Sequence, residues 1–227
     1  MRIATWNIHR GRPAFGRFRP DRILAVLAEL RPDLIALQEA QHYLRRVTPM
    51  LPEAALAELG LVPLRPDPAQ QGYRSNLVLV RRDTALLAPP RGLRLGGWEP
   101  RGAILADLDL GTGPFRLLAA HLSLGAATRR AQARLLLAAM HPEWPSLLLG
   151  DLNEWRPQGS ALGVLAAAMG PVNRLPTFPS FRPLLPLDHI LARPAAGVAG
   201  LAVHDTPAAR RASDHLPLVA SLAFLWR

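Results

Sequence analysis

The chain has 227 residues, 49% of them apolar, which is enough to bury a sizeable core. Cysteine is absent, so disulfides and thiolate chemistry are excluded, and no apolar run approaches the roughly 20 residues of a membrane-spanning helix. The net charge of +10 is carried by arginine with no lysine at all. That residue suits phosphate oxygens, but Arg, Ala, Leu, Gly and Pro together are also what a GC-rich genome produces, so charge supports an anionic partner only weakly.

Ile3 to Ile8 reads as a first strand that reaches polar residues at once, without the hydrophobic core of an export signal; a cytoplasmic protein is expected. His9 to Pro20 is a loop rich in Gly, Pro and Arg. Asp21 is predicted to cap a helix running to Leu30, with Ile23, Leu24, Leu27 and Leu30 on one face. Arg31-Pro32-Asp33 breaks it, and Leu34 to Gln38 is an apolar strand that ends at Glu39. A second helix is expected from Pro52 to Leu59, stopped by Gly60. Strands follow at Asn76 to Arg81, Gly102 to Leu110 and Phe115 to His121, the last two joined by a hairpin turn at Gly111-Thr112-Gly113-Pro114. Thr128 to Met140 and Ser160 to Met169 read as helices, with a short buried strand at Leu147 to Leu149 between them. The last strands are Leu187 to Ala192, Gly200 to His204 and Leu216 to Phe224. No repeat or long linker divides the chain, so a single domain over residues 1–227 is expected.

The chemistry-bearing residues gather at strand ends. Asn7, Glu39, His121 and Asp151 each close an apolar strand, and Asp214-His215 precedes one; such side chains can converge on one rim of a sheet. In Gly150-Asp151-Leu152-Asn153, alternation would put Asp151 and Asn153 on one side of an extended segment, where they can share a water or metal; an Asx turn is the alternative. Asp188-His189 and Ser213-Asp214-His215 each set an aspartate beside a histidine; a carboxylate accepting from one ring nitrogen fixes the tautomer and supports the imidazolium, and Asp214 is a candidate metal ligand. Two amides, four carboxylates and two histidines make an oxygen-rich site that suits Mg²⁺ or Mn²⁺ better than zinc. Arg101, just before a strand, is placed to neutralise a phosphate.

Six blocks resemble the endonuclease/exonuclease/phosphatase superfamily, in that family's order. They are Thr5-Trp6-Asn7-Ile8-His9-Arg10-Gly11, Asp33 through Glu39, His121-Leu122, Gly150-Asp151-Leu152-Asn153, Leu187-Asp188-His189-Ile190-Leu191 and Ser213-Asp214-His215-Leu216-Pro217. The Asn-Ile-His-Arg-Gly form of the first block looks closest to a small bacterial branch with sphingomyelinase-like and nuclease-like relatives. The resemblance implies an α/β fold, a four-layer sandwich of two mixed sheets face to face with helices outside. It implies a divalent-metal-dependent phosphoesterase in which Glu39, Asn7 and Asp214 are the metal side. Asp151 and Asn153 position or deprotonate the attacking water, His215 is the catalytic histidine oriented by Asp188, and His121, Asn153 and Arg101 hold the phosphate.

A nuclease acting on DNA or RNA is the favoured expectation, from the charge and from Arg10, Arg12, Arg17 and Arg19 in the loop after Asn7. The alternatives are a phosphoesterase acting on a phospholipid headgroup or small phosphoester, and a catalytically inactive binding module. The lipid alternative needs exposed apolar loops beside the cleft. Phe15, Phe18 and Trp98 are the candidates, and burial is the expected fate of all three. No obligate protein partner is evident.

Overall fold

The computed structural model describes residues 1–41 and 48–223. Its first sheet contains β1 (Arg2–Asn7), β2 (Leu34–Gln38), β3 (Leu61–Pro63), β4 (Leu77–Arg81), β11 (Val198–Val203) and β12 (Leu218–Leu222), in the order β11-β12-β1-β2-β4-β3. The second contains β5 (Ala85–Leu86), β6 (Arg91–Arg94), β7 (Gly102–Asp109), β8 (Pro114–His121), β9 (Ser146–Asp151) and β10 (Asp188–Arg193), in the order β10-β9-β8-β7-β5, with β6 also on β7. Both are mixed: β1 runs parallel to β2 and β8 parallel to β9, while the other pairings are antiparallel.

The central strands are apolar on both faces because both faces are covered. Ile3, Leu34, Ala36, Val78 and Val80 point toward Ile104, Leu117, Ala119, Leu147, Leu149 and Ile190, forming the core between the sheets. Their neighbours Ala4, Trp6, Ile35 and Leu37 pack outward on α1 (Pro20–Leu30), α2 (Glu53–Glu58) and α5 (Pro207–Ala212). Leu118, Leu148 and Leu191 meet α3 (Ala126–Ala138) and α4 (Leu162–Met169) in a third cluster. The result is the expected α/β sandwich of two mixed sheets with helices outside.

Several boundaries differ from the sequence reading. Helix α1 starts at Pro20, whose fixed φ and missing N–H suit the first helical position, and Asp21 pairs with Arg19 instead of capping. Helix α3 begins two residues earlier than expected and ends two earlier; α4 starts at Leu162 rather than Ser160. The expected end of the last strand, Phe224, lies outside the described residues. Strands β3, β5 and β6 and helix α5 were not expected. Of these, β5 and β6 are mostly exposed and show no apolar alternation, so they leave no periodic signal. The β7–β8 turn is the predicted one, with Asp109 Oδ1 accepting from the backbone N–H groups of Gly111, Thr112 and Gly113. Among the described residues no helix is long and apolar enough to cross a membrane.

Candidate active site

Register places the polar residues together. Strand β9 has β8 on one side and β10 on the other, and Asp151, at the end of β9, lies opposite both His121 and Asp188. From the other sheet, Asn7 closes β1 and donates through Nδ2 to Asp151 Oδ2 at 2.9 Å. The segment before β12 is clipped to the end of β1: Ser213 Oγ donates to Asn7 O at 2.7 Å, and Trp6 Nε1 donates to His215 O at 2.8 Å. One rim shared by both sheets therefore carries Asn7, His121, Asp151, Asp188, Asp214 and His215.

Asp151 is the hub. It is buried, and its Oδ2 lies 3.5 Å from His121 Nε2 and 3.9 Å from His215 Nε2 as well as on the Asn7 amide. Its Oδ1 accepts from the backbone N–H of Asn153 at 2.9 Å, which makes the Gly150–Asn153 segment an Asx turn. Asn153 has φ 51°, so the segment is not extended there, and its amide donates to Leu122 O at 2.8 Å. The same-side arrangement expected from alternation is replaced by this turn. Gly150, where a Cβ would lie 1.8 Å from Ala120 O, allows β9 to approach β8 at the site.

His215 and Asp188 form the expected pair, with Nδ1 2.8 Å from Asp188 Oδ2. Burial alone would lower the imidazole pKa. The charge and hydrogen bond of Asp188, with Asp151 and Asp214 nearby, outweigh burial and raise it to about 9. His215 is therefore an imidazolium at neutral pH, donating from both ring nitrogens, with Nε2–H toward the Asp151 side.

His121 is the opposite case. Arg101 Nη1 lies 2.7 Å from His121 Nδ1, and since a guanidinium can only donate, Nδ1 must accept and the proton sits on Nε2. Burial first, then the positive charges of Arg101 and His215, push this imidazole down to about 3, although Asp151 pulls the other way. The rim thus holds one charged and one neutral histidine, and both present an N–H to the space beside Asp151.

Glu39 and Asp214 stand at the edge of this cluster. Glu39, at φ 53°, is half-buried and its carboxylate is 3.6 Å from Arg10 Nε. Asp214 Oδ2 is 3.6 Å from His9 Nδ1, and Asn7 Oδ1 accepts from His9 N at 3.0 Å. His9, Arg10, Glu39 and Asn153 all have left-handed backbones, a clustering of strain on the loops that frame the site. Among the described residues, Asp151, Asp188 and His215 bring carboxylate or imidazole atoms within 4.8 Å of one another; with His215 protonated, the two carboxylates are the atoms of this group that can face an ion. Asp188 Oδ1 is buried without a hydrogen-bond partner there, and the donors at the rim are mainly oxygens. This donor chemistry fits a hard divalent cation.

Three contributors carried no usable signal in the sequence, or only a faint one. Thr177 Oγ1 donates to Asp188 Oδ2 at 2.6 Å, and the Phe178 ring lies 4.8 Å from that of His215. Both come from an irregular segment that only the tertiary fold brings to the site. Ser213 opens the Ser213-Asp214-His215-Leu216-Pro217 block, but its role as a clip needs β1 beside it.

The Endonuclease/Exonuclease/phosphatase family profile matches residues 4–215. No curated protein matches the sequence. Among solved structures, an endonuclease/exonuclease/phosphatase from Beutenbergia cavernae is similar with TM-score 0.74 and 23% identity, over 99% of this chain and 72% of that one. A mannosyl-6-phosphatase from Bacteroides thetaiotaomicron has TM-score 0.70 and 17% identity, over 99% and 100%. The human Nocturnin catalytic domain, solved with bound sulfate, has TM-score 0.67 and 20% identity, over 99% and 93%. At these identities the structures speak for the fold, whereas the profile spans nearly the whole sequence and all of the rim residues. The chain is a member of the endonuclease/exonuclease/phosphatase family, a superfamily of phosphoesterases.

Proposed function

We propose that the protein is a divalent-metal-dependent phosphodiester hydrolase working at the rim around Asp151. The observation that carries this reading is the placement of a buried carboxylate within 4 Å of two histidine ring nitrogens, Nε2 of His121 and Nε2 of His215. Asp151 is the group suited to take the proton of an attacking water, and Asn7 and Asn153 hold its two oxygens in place. His121 and His215 are aimed to hydrogen-bond the phosphoryl oxygens as negative charge builds on them. The His215 imidazolium, supported by Asp188, can release its proton to the departing oxygen. In the overall reaction the water oxygen bonds to phosphorus and the phosphorus–oxygen bond to the leaving group breaks. Glu39, Asn7 and Asp214 would hold Mg²⁺ or Mn²⁺; when bound, the ion supplies Lewis-acid neutralisation of the phosphate.

Two substrate classes are in contention. Nucleic acid is supported by the positive charge and by a groove of about 620 Å³ beside the Asx turn, whose lining includes Arg130, Trp155, Arg156 and Arg174. A phospholipid is supported by the exposure of Phe15 and Trp98, which overturns their expected burial; Phe18 is half-buried against the outer core. The apolar exposure weighs more, because charge and aromatic faces serve either partner while the exposed Leu124 and Leu184 serve only a lipid well. Purified protein incubated with plasmid, single-stranded oligonucleotides and detergent-dispersed phospholipid, with Mn²⁺ or with EDTA, tests this. Metal-dependent release of a lipid headgroup is expected, and metal-dependent cleavage confined to nucleic acid would restore the nuclease reading.

A further inference from the structure

Nine large apolar side chains are exposed among the described residues, and six of them gather at one rim, while Leu86, Leu87 and Leu135 lie elsewhere. Phe15 is 87% exposed, Trp98 100%, Leu124 67%, Phe181 58%, Leu184 62% and Trp155 42%. Each sits on a loop at the rim that carries the site. Phe15 is on the loop that leaves β1, Trp98 on the loop that enters β7, and Leu124 and Trp155 just beyond the ends of β8 and β9. Phe181 and Leu184 lie on the segment that leads into β10.

These loops adjoin one another. The Phe15 and Phe181 rings are 6.2 Å apart, and Ser180 N donates to Asp214 O at 2.6 Å, which holds this group against the metal side. On the opposite flank Leu124 N donates to Glu99 Oε1 at 3.0 Å, beside Trp98. Arg129 bonds both Leu124 O and Glu154, next to Trp155. The first group thus adjoins the Asp214 side of the site and the second the Leu122–Glu154 side. Exposed Arg12, Arg17, Arg156 and Arg182 are interleaved with the apolar tips, and Arg156 lies over the Trp155 ring at 5.3 Å. The carboxylates of these loops are engaged inward, Glu99 on Leu124 N and Glu154 on Arg129 and Ser160.

An apolar ring of this kind gains nothing in water and gains on transfer to hydrocarbon. Trp, Phe and Leu at loop tips with arginine between them is the composition of segments that lie in a bilayer interface, the arginines reaching lipid phosphates. Nucleic acid would use the aromatic faces and the arginines, but it stacks nothing on leucine.

We propose that this rim is a membrane-docking surface that sets the cleft against the headgroups of an anionic bilayer. What the site does once docked rests on the phosphoesterase reading; the docking itself does not. Flotation with vesicles of phosphatidylcholine, alone or mixed with phosphatidylglycerol, tests it in EDTA, where catalysis plays no part. The protein is expected to float with the mixed vesicles and poorly with phosphatidylcholine alone. The double variant Phe15→Ser/Trp98→Ser is expected to bind at least about tenfold more weakly, with an unchanged melting temperature because both positions face solvent. Trp98→Phe is expected to retain most of the binding. Failure of the wild-type protein to float, or equal flotation of the double variant, would overturn the proposal. So would retention of a single-stranded oligonucleotide that the double variant loses while vesicles go unbound. Flotation in EDTA together with no ester hydrolysis when Mn²⁺ is supplied would leave docking standing and remove the catalytic reading instead.

Discussion

Asp188 Oδ2 accepts from both His215 Nδ1 and Thr177 Oγ1, so its charge is fixed against one nitrogen of one ring. Asp188→Asn keeps the shape and removes the charge. The His215 pKa should then fall from about 9, and kcat should drop by about a hundredfold or more, the scale of a positioned acid–base group. Histidine NMR titration of the metal-free variant checks the first and steady-state kinetics the second. The two histidines also set opposite pH limits on stability. His215, raised above 6.5, contributes stability that is full below 6.5 and lost as pH rises through about 9. His121, depressed below 6.5, contributes stability that is present above 6.5 and lost as pH falls toward about 3. Thermal unfolding of the metal-free protein across pH should show both limbs. His215→Gln is expected to flatten the alkaline limb and His121→Gln the acidic one. The residue types at these positions were readable in the sequence. Their charge states were not, because the tautomer of His121 depends on Arg101, twenty residues away and brought close only by the β7–β8 pairing.

At the scale of elements, the site depends on close strand approach and on one buried ion pair. A Cβ at Gly150 would collide with Ala120 O across the β8–β9 ladder, so Gly150→Ala should cost about 3 kcal/mol or more in chemical denaturation. Arg129 on α3 meets Glu154 at 3.2 Å with both side chains buried, tying the loop after β9 to the helix. Arg129→Ala leaves that carboxylate buried without its partner and should cost about 3 kcal/mol, measured the same way. The central strands were legible because burial on both faces writes them as unbroken apolar runs, as in Leu34-Ile35-Ala36-Leu37. Short edge strands such as Arg91–Arg94 carry no such run. Helix α5 did leave a signal, since Thr206 accepts from Ala209 N with Pro207 at the first position, a cap that reads plainly once looked for.

For the whole molecule, the order of blocks along the chain was enough to foresee the sandwich and the convergence of strand ends on one rim. The nature of that rim was not. Average burial tendencies assign Phe15 and Trp98 to the interior, and only the position of their loops, outside both sheets and around the cleft, shows why they are exposed. The proposed chemistry has this rim hydrolyse phosphodiesters with a divalent ion and Asp151. Its most direct test is hydrolysis of a chromogenic phosphodiester by the wild-type protein and by Asp151→Asn, each with Mn²⁺ and with EDTA. Turnover that requires the ion and falls by about a hundredfold or more in Asp151→Asn is predicted. Turnover that survives EDTA, or that Asp151→Asn retains in full, would rule this chemistry out.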